Sequence, residues 1–182
     1  MHLEEKKILL KNGQEAVLRS PVASDGAQML DVLKRLSAET EFILRYPEEW
    51  AAMTAEQEAK YLEGLSRSQS ELMIVCTVGE EIAGSCQLSF FTGIKTRHRA
   101  VAAIGLLKKF WGLGIGTTMF AQMEQAARER GTLQIELDYI EGNERGRRLY
   151  EKMGFVPVAE RPDAVRLKDG TMRKEISMIK RL

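Results

Sequence analysis

The 182-residue chain has few residues that could bind a metal or form a disulfide, and almost no net charge. Its only cysteines, Cys76 and Cys86, and its only histidines, His2 and His98, have none of the standard spacings of metal ligands, so we predict no metal site. Both cysteines lie in apparent strands, which favours buried free thiols over a disulfide or a nucleophile. A net charge of +1 gives no electrostatic argument for nucleic acid or an anionic membrane as a partner.

Long hydrophobic runs are also missing. No apolar segment is long enough to cross a bilayer, and residues 1–7 do not resemble a signal peptide. The hydrophobic fraction of 44% is ordinary for a globular protein. We therefore expect one domain over residues 1–182, in the cytoplasm and without a membrane partner.

Glycine is concentrated at one place in the chain. Gly112, Gly114 and Gly116 alternate with apolar residues, after the apolar run 101–107 and before an amphipathic pattern over 119–127. This order predicts a strand, a tight loop and a helix. Glycines allow a ligand to approach the backbone closely, and the N-terminus of a helix attracts anions. The segment is therefore typical of a phosphate-binding loop.

Two common phosphate loops do not fit these glycines. A P-loop needs Lys followed by Ser or Thr after its last glycine, whereas Thr117 and Thr118 follow Gly116. The dinucleotide fingerprint G-x-G-x-x-G fails in both possible frames, because its sixth position would be Thr117 or Met119. What remains is x-G-x-G-x-G after a strand, for which a glycine-rich turn without a ligand is the alternative.

A second segment, residues 133–155, follows the predicted helix. Apolar and polar residues alternate from Leu133 to Tyr139, which predicts a strand. Asn143 is placed to cap a short helix, and Gly154 to end it. The pattern from Asn143 to Phe155 reads N-x-x-G-x-x-L-Y-E-K-x-G-F.

Together the two segments resemble the GNAT superfamily of acetyl-CoA-dependent N-acetyltransferases. The usual loop of that family is Arg or Gln followed by x-x-G-x-G or x-x-G-x-A, and Trp111 stands here at the Arg or Gln position. The second pattern matches N-x-x-A-x-x-L-Y-x-x-x-G-F, with Gly146 in place of alanine. The resemblance implies a GNAT-like α/β fold, with a mixed central sheet of about six to seven strands and flanking helices. It also implies acetyl-CoA as co-substrate.

The resemblance further implies the residues of the donor site. The backbone N–H of Leu106 or Leu107 would bind the oxyanion, and Asn143 would face the pantetheine, although it could be a plain N-cap. Trp111 cannot carry the usual charge and would pack at the base of the loop, with Lys108 or Lys109 supplying charge unless these lysines only form a solvated face. The predicted acetyl-CoA-binding set is Leu106, Leu107, Lys108, Trp111, Gly112, Leu113, Gly114, Ile115, Gly116, Thr117, Asn143 and Tyr150.

Tyr150 is the predicted catalytic residue. It occupies the tyrosine position that faces the sulfur of CoA in the family, and a phenol can donate a proton to a leaving thiolate. A packing role is the alternative. The general base stays open, because residues 100–105 contain no carboxylate. The possibilities are a water chain or one of Glu136, Asp138, Glu39 and Glu41.

The acceptor site is expected before the first central strands and near the C-terminal hairpin, by analogy with the family. Acidic and aromatic residues together suit a cationic amine, so a small amine or amino acid is the first hypothesis. The alternatives are a protein or peptide amine, or a non-catalytic acyl-CoA-binding sensor or assembly domain. A homodimer is possible. The residues expected at the acceptor site are the aromatic Phe42, Tyr46 and Trp50 and the acidic Glu39, Glu41, Glu48 and Glu49.

Overall fold

A computed structural model describes all residues, 1–182, and contains an eight-stranded sheet with five α-helices. None of the helices is long and apolar enough to cross a membrane. The strands are β1 (Lys6–Leu9), β2 (Glu15–Arg19), β3 (Glu71–Val78), β4 (Glu81–Phe90), β5 (Arg99–Leu106), β6 (Gln134–Ile140), β7 (Val156–Arg166) and β8 (Met172–Arg181). The helices are α1 (Gly26–Glu39), α2 (Pro47–Trp50), α3 (Ala55–Arg67), α4 (Ile115–Glu129) and α5 (Glu144–Lys152).

The sheet has the order β1-β2-β3-β4-β5-β6-β8-β7, and only the β5–β6 pair is parallel. The predicted α/β fold with a mixed sheet is therefore confirmed. The strand count exceeds the predicted six to seven, because the hairpins at both ends of the chain are full members of the sheet.

Local sequence signals explain several element boundaries. The Asn12–Gly13 turn joins β1 to β2, with Gly13 at φ +82°. Thr54 and Gln57 cap α3 reciprocally, side chain to backbone N–H in both directions. Asn143 caps α5 by accepting a hydrogen bond from the N–H of Gly146 at 2.9 Å. The Asn-Gly turn, the Thr54–Gln57 capping box and the Asn143 cap can each be predicted from the sequence, and the structure confirms them.

The C-terminal hairpin differs from the expectation. The sequence predicts a strand over residues 156–160, whereas β7 runs on to Arg166. Its pairing with β8 is irregular between Arg161 and Val165, where Asp163 has a φ of +51°. A bulge of this kind lets one strand continue through residues that interrupt its pattern in the sequence.

Helices cover both faces of the sheet at β5. A Cβ placed on Gly105 would lie 3.0 Å from Leu36 of α1, whereas a Cβ on Gly116 of α4 would lie 3.7 Å from both Ile104 and Leu106. Because side chains of neighbouring residues in a strand point to opposite faces, α1 and α4 lie on opposite sides of β5. Residues of β5 therefore face α1 on one side of the sheet and α4 on the other.

Gly84 forms the predicted bulge in β4. Cys76 opposes Gly84 while Thr77 opposes Ile82, so one extra residue is inserted in β4. Gly84 has a φ of +152°, and a Cβ there would lie 2.1 Å from the carbonyl oxygen of Gly105. No other residue fits this close approach to β5.

We expect Gly84→Ala to lower the free energy of unfolding by at least about 2 kcal/mol, because the backbones of β4 and β5 would have to separate. Denaturant unfolding measures the change. The control is Gly64→Ala, in the interior of α3 with nothing within 4 Å of the added Cβ. That control should be neutral or stabilising by up to about 1 kcal/mol. Equal stabilities of the two variants would contradict the bulge geometry.

Candidate active site

The site begins where β5 and β6 separate. The two parallel strands pair only from Arg99 to Val101 and from Gln134 to Glu136. Beyond this point β5 continues to Leu106 and β6 to Ile140 without pairing to each other. A gap therefore opens in the middle of the sheet, with unpaired backbone groups along its sides.

The register of β4 and β5 decides which backbone N–H groups face this gap. The N–H of Leu107 donates to the carbonyl of Ala83 at 2.9 Å. Opposed residues in an antiparallel pair alternate between bonded and non-bonded, so Leu106, opposite Gly84, turns its N–H away from β4. Of the two oxyanion donors that the sequence suggested, Leu107 is therefore excluded by its existing hydrogen bond, and Leu106 remains.

The glycine loop ends at the N-terminus of α4, next to the gap. Gly112 and Gly114 have φ values of +81° and +96°, in the left-handed region that favours glycine. The first turn of α4 contains no acidic residue, and Gly114 offers no capping side chain. The first N–H groups of this 15-residue helix are thus free for an anion, at the positive end of its dipole.

The two sequence motifs contact each other at α4 and α5. A Cβ on Gly116 would lie 2.9 Å from Cδ2 of Leu149, so a larger residue at position 116 would displace that side chain. Leu149 immediately precedes Tyr150, whose ring packs against Phe120 of α4, so the tyrosine lies close to the helix that follows the glycine loop.

A cavity of about 950 Å³ occupies the gap and the space between α4 and α5. Nine of the twelve predicted acetyl-CoA-binding residues line it, and Leu107, Lys108 and Leu113 do not. Leu107 is fully buried, and the carbonyl of Leu113 accepts the N–H of Lys11 at 3.1 Å. The nine are Leu106, Trp111, Gly112, Gly114, Ile115, Gly116, Thr117, Asn143 and Tyr150. We call this space the donor cavity.

Trp111 lies at the base of the loop, and a cation from another element covers it. Its Nε1 donates to the carbonyl of Leu106 at 2.6 Å, which joins the loop to the end of β5. The guanidinium of Arg145 in α5 stacks on its ring at 4.8 Å, close to Gly112, and forms no ion pair. Lys108 is farther from the ring, at 5.9 Å, and Lys109 pairs with Glu81.

Arg145 is a functional candidate that sequence reasoning missed. It lines the donor cavity beside the phosphate-binding loop, where the family usually places a charged or amide side chain from the loop itself. Its position two residues after the Asn143 cap was the available signal, because the first turn of α5 faces the loop. The tryptophan in the loop is thus paired with a cation supplied by the next motif.

Tyr150 is buried at the junction of the donor cavity and the core. Only 8% of it is exposed, and its ring packs against Phe120, Tyr139 and Phe155 with centroid distances of 5.8, 6.0 and 6.4 Å. Burial, with a smaller contribution from Tyr139, raises the pKa of Tyr150 to about 12. The phenol therefore stays protonated at neutral pH, as a proton donor must.

A second cavity of about 500 Å³ lies on the opposite face of β5, beneath α1, α2 and α3. It shares five residues with the donor cavity: Leu36, Ile43 and the β5 residues Ala103, Ile104 and Gly105. Most of its lining is apolar, but it also contains the carboxyl group of Glu58 and the guanidinium of Arg45. We call this space the acceptor cavity.

Glu58 was also missed by sequence reasoning. It is 2% exposed, and burial raises the pKa of its carboxyl group above the usual value. Glu58, Leu62 and Leu65 are spaced by four and three residues and are all buried, so they share the inner face of α3. A charged residue at a core-facing position of an amphipathic helix was the signal that could have identified it.

Three of the four carboxylate candidates from the sequence form other contacts, whereas Glu41 is exposed and lines neither cavity. Arg99 pairs with Glu136 and lowers the pKa of that carboxyl group, which makes it a poor base. Glu39 accepts the N–H of Lys108 at 2.6 Å, and Asp138 accepts the hydroxyl of Ser177.

The acidic residues predicted for the acceptor site also form contacts elsewhere: Glu48 pairs with Lys168, and Glu49 accepts the N–H of Tyr46. Among the predicted acceptor aromatics, Trp50 lines the acceptor cavity, Phe42 lines the donor cavity, and Tyr46 lines neither.

Both cysteines are free and buried, as expected from the sequence. Burial raises the pKa of Cys76 to about 12 and that of Cys86 higher still, so neither thiol ionises at neutral pH. Cys86 lines the acceptor cavity only as an uncharged wall.

Comparison with known proteins identifies this fold as that of an acyltransferase. The model of the acetyltransferase (GNAT) family matches residues 34–155, and the chain belongs to this family. Its members transfer acetyl groups from acetyl-CoA to amines. No curated protein matches the chain in a sequence search.

Solved structures share the whole fold at low sequence identity. A GNAT acetyltransferase from Streptococcus pneumoniae superposes with a TM-score of 0.84 and 21% identity, over 92% of this chain and 99% of that one. A ribosomal-protein-alanine N-acetyltransferase from Brucella melitensis superposes with a TM-score of 0.78 and 21% identity, over 91% of this chain and 99% of that one. YncA from Salmonella typhimurium, a putative acetyltransferase solved with acetyl-CoA, superposes with a TM-score of 0.76 and 16% identity, over 92% of this chain and 94% of that one.

We expect Arg145→Gln to weaken acetyl-CoA binding about 10-fold or more, because a hydrogen bond to a charged group contributes about 1.5–3 kcal/mol. Titration calorimetry measures the dissociation constant. The control is Arg147→Gln on the same helix, because Arg147 does not line the cavity and its side chain pairs with Glu151, which does not line it either. Equal affinities of the two variants would show that Arg145 does not contact the donor.

Proposed function

We propose that this protein transfers the acetyl group of acetyl-CoA directly to the primary amine of a small molecule. The observation that carries the proposal is the meeting of two cavities at one stretch of backbone, Ala103 to Gly105. A thioester bound in the donor cavity and an amine bound in the acceptor cavity would approach each other there. Direct attack requires this arrangement, because both substrates must be bound at once.

The residues around the meeting point match the needs of aminolysis. Attack on the thioester carbonyl places negative charge on its oxygen, and the N–H of Leu106 is available to stabilise it. The departing thiolate takes a proton from Tyr150, which is protonated at neutral pH. Asn143 caps α5 and also lines the donor cavity, so its two suggested roles are compatible.

Proton balance shows what else is required. An alkyl ammonium ion must lose one proton before it can attack and a second as the amide forms. The thiolate takes up one proton, so the reaction releases one in total. A basic group or a water chain on the acceptor side must therefore accept the first proton.

The size of the acceptor cavity favours a small molecule over a protein. Its volume of about 500 Å³ is within the usual range for small-molecule sites. Side chains of α1, α2 and α3 line it, including Leu33, Trp50 and Tyr61. The relative from Brucella melitensis is named for a ribosomal-protein acceptor, so a peptide with an N-terminal alanine is the comparison substrate.

Calorimetry with acetyl-CoA, followed by a panel of amines with thiol release recorded, tests the proposal. Binding together with thiol release that depends on a small amine is the expected result. Binding with turnover only on the alanine peptide would replace the small acceptor by a protein. Absence of acetyl-CoA binding would overturn the donor-site assignment.

We expect Tyr150→Phe to lower kcat about 100-fold, the usual scale for loss of a general acid, with little change in acetyl-CoA affinity. Tyr139→Phe, the neighbouring phenol, is the control and should retain most activity. Steady-state kinetics at saturating acetyl-CoA measures both variants. If the two variants are equally active, Tyr150 is not the proton donor.

The pKa of Tyr150 also sets the alkaline limit of the wild-type enzyme. Since the protonated phenol is the active form and its pKa is raised to about 12, kcat should show no Tyr150-dependent fall between about pH 7 and pH 10. A pH profile of kcat measures this. A fall in that range that disappears in Tyr150→Phe would contradict the raised pKa.

A further inference from the structure

We propose that the acceptor is an amino acid with an apolar side chain, whose ammonium group binds Glu58 and whose carboxylate binds Arg45. Glu58 would also take the proton that must leave before attack. This inference rests on the proposed acetyl transfer and names the substrate class and the base of that site. Two groups of opposite charge that line one cavity carry the inference: the buried carboxylate of Glu58, which has no partner, and the solvent-exposed guanidinium of Arg45, which forms no ion pair.

Glu58 is the first of these groups. It lies on the inner face of α3 and lines the acceptor cavity. No side chain or backbone group forms a hydrogen bond or an ion pair with its carboxylate, although only 2% of the residue is exposed. A buried carboxylate without a partner costs stability, so its retention at a core-facing position suggests that its partner arrives with a ligand.

Arg45 is the second group. Its guanidinium stacks on the ring of Trp50 at 4.6 Å, and its only polar contact is the sulfur of Met53 at 4.0 Å. It has no carboxylate within the 4.0 Å of an ion pair, Glu58 included. A stacked guanidinium with free N–H groups is suited to bind a carboxylate through two hydrogen bonds.

The other polar groups of the cavity do not satisfy these charges. Tyr61 directs its hydroxyl to Gln87 at 3.5 Å, and the amide nitrogen of Gln87 donates to Glu71. The thiol of Cys86 is uncharged at neutral pH. Glu58 and Arg45 are therefore the only charged groups in the lining, and they are separated. A zwitterion presents the complementary pair.

The rest of the lining selects the body of the acceptor. Leu33, Leu36, Ile43 and Met73 supply an apolar surface between α1 and the sheet. An apolar side chain would gain by burial there, at about 25 cal/mol per Å² of apolar surface. A side chain with a charge would lose its hydration without gaining a partner. Leucine, methionine and phenylalanine therefore represent the class.

The apolar surroundings also favour proton transfer to Glu58. Burial disfavours both an ammonium ion and a carboxylate, so the neutral amine and the neutral carboxylic acid become the preferred pair. The neutral amine then attacks the thioester carbonyl, the N–C bond forms and the C–S bond breaks. The thiolate takes its proton from Tyr150, and the second proton that the nitrogen loses as the amide forms restores the Tyr150 phenol. Glu58 returns the first proton to solvent, which accounts for the single proton released.

The test compares each amino acid with the amine that lacks its carboxylate: leucine with 3-methylbutylamine, methionine with 3-(methylthio)propylamine, phenylalanine with 2-phenylethylamine. Wild type should have a higher kcat/KM for the amino acid of each pair. Glu58→Gln should lower kcat/KM about 100-fold or more for both members, with an unchanged dissociation constant for acetyl-CoA. The free energy of unfolding of Glu58→Gln should equal or exceed that of wild type, because an unpaired buried charge has been removed.

Arg45→Gln gives the independent part of the test. It should raise KM about 10-fold or more for the amino acids and leave their kcat nearly unchanged. The kcat and KM of the carboxylate-free amines should also stay nearly unchanged. The control variants are Glu63→Gln and Arg67→Gln, which break an exposed ion pair on α3 outside the cavity. Both should behave as wild type.

The outcomes separate this inference from the function on which it rests. Turnover confined to other amines, or a Glu58→Gln variant as active as Glu63→Gln, would overturn the inference while leaving acetyl transfer intact. An equal effect of Arg45→Gln on amino acids and carboxylate-free amines would overturn the assignment of Arg45. If wild type does not bind acetyl-CoA at all, the proposed function itself fails.

Discussion

The separation of β5 from β6 after three residue pairs is the constraint on which the rest of the structure depends. A continued parallel ladder would use the backbone groups of Leu106 and close the donor cavity. The separation leaves these groups unpaired inside the protein, which is costly unless something binds them. Trp111 partly offsets the cost by donating to the carbonyl of Leu106. The N–H of Leu106 remains available for a ligand, and this is the group to which the proposed mechanism assigns the oxyanion.

The donor and acceptor sides of the gap are built from different parts of the chain. The donor side is built from backbone groups of β5 and the α4 N-terminus, with Arg145 and Tyr150 from α5. The acceptor side is built mainly from side chains of α1, α2, α3 and the segment 43–45. The backbone geometry of the donor side depends on glycines at fixed positions, whereas the acceptor side depends on side chains that converge from distant segments. This difference explains why the donor motifs can be recognised in the sequence and the acceptor site cannot.

The elements that could be predicted are those set by local chemistry. Glycines at positive φ, the Asn143 cap and the Thr54–Gln57 cap act over a few residues, so the sequence alone locates the loop and both helix ends. The mixed sheet followed from the order of periodic segments and the resemblance. The full lengths of the terminal hairpins did not, because the bulge at Asp163 has no clear local signal.

The parts of the candidate site that could not be predicted depend on distant contacts. The exclusion of Leu107 comes from the register of β4 against β5, which the sequence does not encode locally. The stacking of Arg145 on Trp111 requires the packing of α5 against the glycine loop. Glu58 is the exception, since the periodicity of α3 places it among leucines and could have identified it.

The contact between Gly116 and Leu149 has a consequence for motion within the native protein. Helix α5 has nine residues, and only Tyr150 among them is buried, so few apolar contacts hold it in place. Segments of this kind open by local unfolding at a lower free energy than the protein as a whole. A ligand that binds between α4 and α5 only in the closed state would therefore slow amide hydrogen exchange in α5 as its concentration rises.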